Sequence, residues 1–135
     1  MTKRILILDD DRDFSDMVAA RCRKLGADVA TAHTPLEAME LLGQRMPDLI
    51  CLDVNMPTEN GLNICEYLGS SPHTKHVPVV ILTGRADGQT VRRCNELRAA
   101  YVHKSPSFWS RLRPVIVELM DLHVWEADEL ALGTQ

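Results

Sequence analysis

Apolar residues along the chain fall into two alternating patterns. Short aliphatic runs occur at "RILIL" (4–8), "DVATA" (28–32), "DLICLD" (48–53), "VPVVILT" (77–83) and "AAYVH" (99–103). Runs that are apolar on both faces suit strands of a parallel sheet covered on each side. Between them the spacing becomes helical. Phe14, Met17, Val18, Cys22 and Leu25 recur at three- and four-residue steps, and Gly26 follows as a C-terminal stop. "TPLE" opens a second helix, with Thr34 as cap, Pro35 in the first position and Glu37 completing a capping box. Leu36, Met39, Leu42 and Met46 are its expected apolar stripe. A third helix is predicted around Leu62–Leu68, ended by "GSSP", and a fourth over about Thr90–Arg98 with Val91, Cys94 and Leu97 inward. The last is expected from about Arg111 into "VIVELMDLHVW", presenting Leu112, Ile116, Leu119 and Met120. Strands alternating with helices predict right-handed crossovers and an α/β doubly wound parallel sheet.

That architecture gives the strand ends a meaning, because open α/β sheets bind ligands beyond the carboxyl ends of their strands. The first strand ends in Asp9 and Asp10, the third in Asp53, the fourth in Thr83 and the fifth in Lys104. Like charges about 4 Å apart repel by roughly 4 kcal/mol at an effective dielectric near 20, so the run "DDD" at 9–11 needs compensation. A carboxylate cluster invites Mg²⁺, which one or two carboxylates, waters and phosphate oxygens hold. Asp53 is then a candidate nucleophile for aspartyl-phosphate chemistry. Lys104 would neutralise charge on the transferred group and Thr83 would hydrogen-bond it. Gly84 leaves room for its approach.

Composition narrows the partners. The chain of 135 residues carries a net charge of -4 with no basic stripe, which argues against nucleic acid as a direct partner. No apolar run reaches the ~18 residues of a membrane span, and "MTKRILILDDD" is too short in its apolar part for a signal peptide. A cytoplasmic location is expected. Cys22, Cys51, Cys65 and Cys94 are dispersed and read as reduced core residues. His73 and His76 lie in a polar loop, and His33, His103 and His123 stand alone; none is a metal-site candidate. The methionines read as core filler at helical spacing.

Taken together, "ILILDDD", "DLICLDVNMPTENG" with its M-P-x-x-x-G loop, "VPVVILTG" and "YVHK" resemble the CheY-like receiver domains of two-component response regulators. The resemblance spans about residues 3–123 and implies a (βα)5, three-layer flavodoxin-like fold with strand order 2-1-3-4-5. It implies a receiver at 1–123 followed by an acidic tail or linker at 124–135. It further implies that Asp53 is phosphorylated by a histidine kinase or phosphotransfer protein. Asp10, Asp53 and the Asn55 carbonyl would bind Mg²⁺ directly, with Asp9 acting through water. Thr83 and Tyr101 would form the switch pair and Lys104 the lysine of the site. The implied product is a phosphorylation switch acting on an unknown downstream protein, without enzymatic turnover, as a monomer or weak dimer.

Three features depart from that family. "ELRAAYV" lacks the usual Gly-Ala-containing turn, which puts the end of the fourth helix in question. Lys104 is followed by Ser105 before Pro106, so a trans Lys104–Ser105 bond is expected, with any cis bond at Ser105–Pro106. Pro114 cannot donate a hydrogen bond inside a helix. A short turn near residues 107–110, with the last helix starting at about Arg111, would avoid that cost. Asp11 is expected at the N-terminus of the first helix, and Phe108 and Trp109 to pack the last helix onto the sheet. Two alternatives compete: a haloacid-dehalogenase-like phosphatase using the D-x-D pair Asp9 and Asp11, and a receiver belonging to a hybrid kinase or transcription factor.

Overall fold

The computed structural model describes residues 2–57 and 60–121. The expected tail, His123 and the boundary at residue 123 lie outside the described residues. Among the described residues ten elements alternate strictly. They are β1 (Arg4–Leu8), α1 (Arg12–Lys24), β2 (Asp28–Ala32), α2 (Pro35–Gln44), β3 (Leu49–Leu52), α3 (Gly61–Ser70), β4 (Val79–Thr83), α4 (Gly88–Glu96), β5 (Ala100–His103) and α5 (Phe108–Met120). All neighbouring strands pair parallel, in the order β2-β1-β3-β4-β5. The central β1, β3 and β4 are buried almost throughout, as sheets covered on both faces require.

Alternate strand residues feed two cores. Ile5, Ile7, Leu49, Cys51, Val80 and Leu82 point to the side covered by α1 and α5, where Val18, Cys22, Leu112 and Ile116 meet them. Leu6, Leu8, Ile50, Leu52 and Ile81 point to the opposite side, beneath α2, α3 and α4. All four cysteines are free and buried, as expected. Phe108 packs on Phe14 with ring centroids 5.0 Å apart, and Trp109 lies under the Arg21 guanidinium at 5.5 Å.

Local chemistry sets most helix ends. Asp11 caps α1 by accepting from the Phe14 N–H at 3.0 Å, and Thr34 caps α2 by accepting from Glu37 N–H at 3.2 Å. The Glu37 carboxylate reaches back to the His33 N–H, one residue before the position a capping box would satisfy. At the other end of α1, Gly26 takes φ +90°, while its N–H and that of Ala27 close onto Arg23 and Cys22 carbonyls. The departure at "ELRAAYV" resolves into the same geometry without glycine. Arg98 holds φ +59°, its N–H bonds the Asn95 carbonyl and the Ala99 N–H bonds that of Cys94.

Several expectations fail on side-chain direction. In α2 the residue turned fully inward is Ala38; Leu36 is 70% exposed and Met39 44%. The stripe is offset because Leu41 and Leu42, partly buried on that core, take the inward side with Ala38. Met17, Met46 and Leu119 also face outward, and among the described methionines only Met120 is buried. The last helix differs as well. It begins at Phe108, after a turn over Ser105–Ser107, and runs unbroken through Pro114. Phe108, Leu112, Ile116 and Met120 are all buried at four-residue steps, and that continuous apolar stripe outweighs the ~3 kcal/mol an interior proline costs. Described peptide bonds are all trans, including Lys104–Ser105 and Ser105–Pro106.

Candidate functional site

The sheet ladder carries the site residues to one edge. Asp9 leaves β1 with its N–H on the Ala32 carbonyl, and Asp53 leaves β3 with its N–H on the Leu8 carbonyl, both at 3.0 Å. Thr83 ends β4, and its carbonyl accepts from the Lys104 N–H at 2.8 Å just past β5. The residues that follow β1, β3 and β5 thereby meet in one cleft. Lys104 Nζ lies 2.6 Å from Asp9 Oδ2 and 3.4 Å from Asp53 Oδ2. Its ammonium also lies over the Phe14 ring, with Nζ 4.4 Å from the ring centroid. Asp9 and Asp53 are 3% and 5% exposed, whereas Asp10 faces solvent at the rim.

One lysine against three carboxylates leaves the cleft electronegative. One carboxylate oxygen from each of Asp9, Asp10 and Asp53 lies within 4.8 Å of the others. Burial pushes the Asp9 carboxyl above its ordinary value, and the neighbouring Asp53 adds to that. Hydrogen bonds from Lys104 and the Asp11 N–H, with the lysine's charge, only partly offset it. A hard divalent cation would supply the missing positive charge, and this all-oxygen donor set, open to water at Asp10, fits such an ion. The Asn55 N–H donates to Asp53 Oδ1 at 3.3 Å, which brings the loop after β3 alongside the same carboxylate.

Asp11 is not part of this group. Its side chain is committed to capping α1, while its N–H donates to Asp9 Oδ1 at 2.9 Å. The D-x-D pairing of Asp9 with Asp11 therefore supplies one site carboxylate and one helix cap, and the phosphatase alternative loses its second acid.

Thr83 is fully buried, and its Oγ1 accepts from the Arg85 N–H at 3.2 Å. The Tyr101 hydroxyl donates to the carbonyl of the same Arg85 at 2.7 Å. Arg85 is thus gripped at both ends of its own backbone, once by Thr83 and once by Tyr101. Burial also raises the Tyr101 phenol above its ordinary value. A Cβ placed on Gly84 would meet nothing within 4 Å beyond its chain neighbours.

Three supports escaped sequence reasoning. His33 Nδ1 donates to the Asp9 carbonyl at 3.0 Å, tying β2's exit loop to the site. Phe14 backs Lys104. Gly61 begins α3 against Asp53, where any Cβ would sit 2.0 Å from the Asp53 carbonyl oxygen. Only Gly61 had a signal, the final glycine of M-P-x-x-x-G; His33 and Phe14 reach the site through tertiary contacts that no local spacing encodes. His73 and His76 are exposed and join no metal-ligating group among the described residues.

Comparison with known proteins agrees with the geometry. The DNA-binding dual master transcriptional regulator RpaA of Synechocystis is 39% identical over 80 residues, covering 59% of this chain and 33% of RpaA. The response regulator PleD of Caulobacter vibrioides is 36% identical over 90 residues, covering 64% of this chain and 20% of PleD. This chain therefore spans a third or less of either relative. The signal receiver domain of a DNA binding response regulator from Colwellia psychrerythraea 34H superposes with a TM-score of 0.76 at 30% identity, covering 86% of this chain and 98% of that one. The family model of the response regulator receiver domain matches residues 5–108. A carboxylate cleft at the ends of a 2-1-3-4-5 parallel sheet, the family match and the shared fold converge: this chain belongs to the response regulator receiver domain family, a two-component signalling switch.

Proposed function

We propose that Asp53 accepts a phosphoryl group from the phosphohistidine of a histidine kinase or phosphotransfer protein, and that the resulting acyl phosphate changes which protein the domain binds. The observation that carries this reading is the approach of Lys104 Nζ to both Asp9 and Asp53 within a buried, electronegative cleft. An Asp53 carboxylate oxygen attacks phosphorus, the O–P bond forms as the P–N bond breaks, and the imidazole leaves. Mg²⁺ held by Asp10, Asp53 and the Asn55 carbonyl, with Asp9 through water, would neutralise charge on the phosphoryl oxygens. Lys104 exchanges part of its contact with Asp53 for a phosphoryl oxygen. The Thr83 side chain rotates to donate its hydroxyl to another phosphoryl oxygen, and that rotation carries its own oxygen away from the Arg85 N–H. Arg85 is also the anchor of Tyr101, so the shift is passed directly to the surface of α4 and β5. Water then hydrolyses the acyl phosphate without further turnover. The output is protein binding by the α4–β5–α5 face of a cytoplasmic monomer or weak dimer, not direct DNA contact. Among the described residues no helix is long and apolar enough to cross a membrane.

The longer relatives favour a second reading for the whole protein, in which this receiver, ending at about residue 123, governs a separate output domain. Intact-mass measurement with Mg²⁺ and a small phosphodonor tests the central claim. One phosphoryl group should add to wild type and none to Asp53→Ala; equal labelling of both would refute Asp53 as acceptor.

A further inference from the structure

The contacts around Lys104 close into a circuit that runs through an aromatic ring. The Asp11 N–H donates to Asp9 Oδ1 at 2.9 Å, and Asp11 Oδ1 accepts from the Phe14 N–H at 3.0 Å. The Phe14 ring then meets the Lys104 ammonium, its centroid 4.4 Å from Nζ, and Nζ returns to Asp9 Oδ2 at 2.6 Å. The first turn of α1 therefore fixes both a carboxylate of the cleft and the ring face on which the ammonium rests. The ring is itself held, half-buried against Phe108 with centroids 5.0 Å apart.

A ring face and a carboxylate hold an ammonium differently. Lys104 donates to Asp53 Oδ2 at 3.4 Å, a contact that a phosphoryl group arriving on Asp53 must disturb. The ring attracts the cation through its quadrupole and carries no charge that the newcomer has to displace. With its side chain only 16% exposed, Lys104 has little water to take over that hold. Positive charge stabilises a transition state most when it is already in place and need not reorganise. We propose that Phe14 is a positioning residue for phosphoryl transfer, its ring face keeping the Lys104 ammonium over the cleft while the lysine exchanges Asp53 for a phosphoryl oxygen. The role rests on Asp53 being the acceptor.

Phosphoramidate with Mg²⁺ is a direct probe, since the Asp53 O–P bond forms as the P–N bond breaks and ammonia leaves. Phe14→Leu keeps an apolar side chain against Phe108 but removes the π face. It should label at Asp53 roughly three- to fivefold more slowly than wild type, and Phe14→Tyr should restore most of the rate. Lys104→Met has no ammonium to position, so adding Phe14→Leu to it should slow labelling no further. A second readout needs neither phosphate nor metal. With isotope-labelled lysine, the ε-protons of Lys104, identified through Lys104→Arg, should resonate upfield of those of the other lysines. That ring shift should persist in Phe14→Tyr and vanish in Phe14→Leu, with Phe14→Met taking its place if the leucine variant does not fold. A wild type that takes no phosphoryl group would remove the acceptor and this role together. Labelled wild type matched in rate by Phe14→Leu would overturn the positioning role alone. So would an equal loss in the Lys104→Met background, or Lys104 ε-protons without a ring shift.

Discussion

At the scale of single residues, burial decides what each side chain can do chemically. Desolvation pushes the Cys22 thiol up to about 12 and that of Cys65 to about 11, and raises Cys51 and Cys94 as well. Such thiols are poor nucleophiles and act as small apolar residues. Folded protein should leave all four unlabelled by a disulfide reagent at about pH 8, with labelling only on unfolding; fast reaction of even one thiol would contradict their burial. The raised values also fix a direction with pH. Below the ordinary thiol value of about 8.5 both states keep their protons and the stabilisation is complete. As pH climbs from there toward the native values, the unfolded chain gives up protons that the native thiols retain, so stability falls. Urea midpoints should drop between about pH 8 and pH 10, and the drop should shrink in Cys22→Ala.

At the scale of elements, two helices carry local conflicts that packing overrides. Arg98 occupies the left-handed position closing α4, which costs a side-chain-bearing residue about 1–2 kcal/mol. Pro114 stands exposed inside α5, removing the N–H that would reach the Ser110 carbonyl. Arg98→Gly should therefore stabilise the domain by about 1 kcal/mol, and Pro114→Ala by about 1–3 kcal/mol. Chemical denaturation of the two variants and their combination measures both. Because the sites lie on different helices, the gains should add. A destabilised Pro114→Ala would mean that the proline sets a bend on which the buried stripe of α5 depends.

At the scale of the whole molecule, the site exists only once four strands are in register. A cation that binds the assembled cleft and not the open chain raises the unfolding temperature by mass action. Mg²⁺ should raise Tm in wild type, and Asp10→Ala should lose most of that increase because it removes a rim carboxylate. Asp11→Ala should keep the increase while lowering Tm in all conditions, since a lost cap costs about 1 kcal/mol. Thermal melts with and without Mg²⁺ separate the two effects. The reverse outcome would move the metal site by one residue.

Much of this protein is determined by sequence alone, where the physics is local or repetitive. Doubly apolar runs specify strands covered on both faces, and Asp11, Thr34 and Gly26 end their helices by contacts within four residues. The alternation of strands and helices then forces parallel crossovers, so the convergence of Asp9, Asp10, Asp53 and Lys104 is legible in the sequence. Other features required the folded chain. Which of Leu36, Ala38 and Met39 turns inward depends on how α2 lies on the sheet, because a helix with apolar residues on two sides has no unique buried stripe. The start of α5 depends on Phe108 packing on Phe14, a contact between distant segments, and the buried stripe Phe108, Leu112, Ile116 and Met120 carries the helix through proline. His33 under Asp9, Phe14 beside Lys104 and the hold of Tyr101 on Arg85 are likewise tertiary, since each joins residues whose separation along the chain carries no periodic signal.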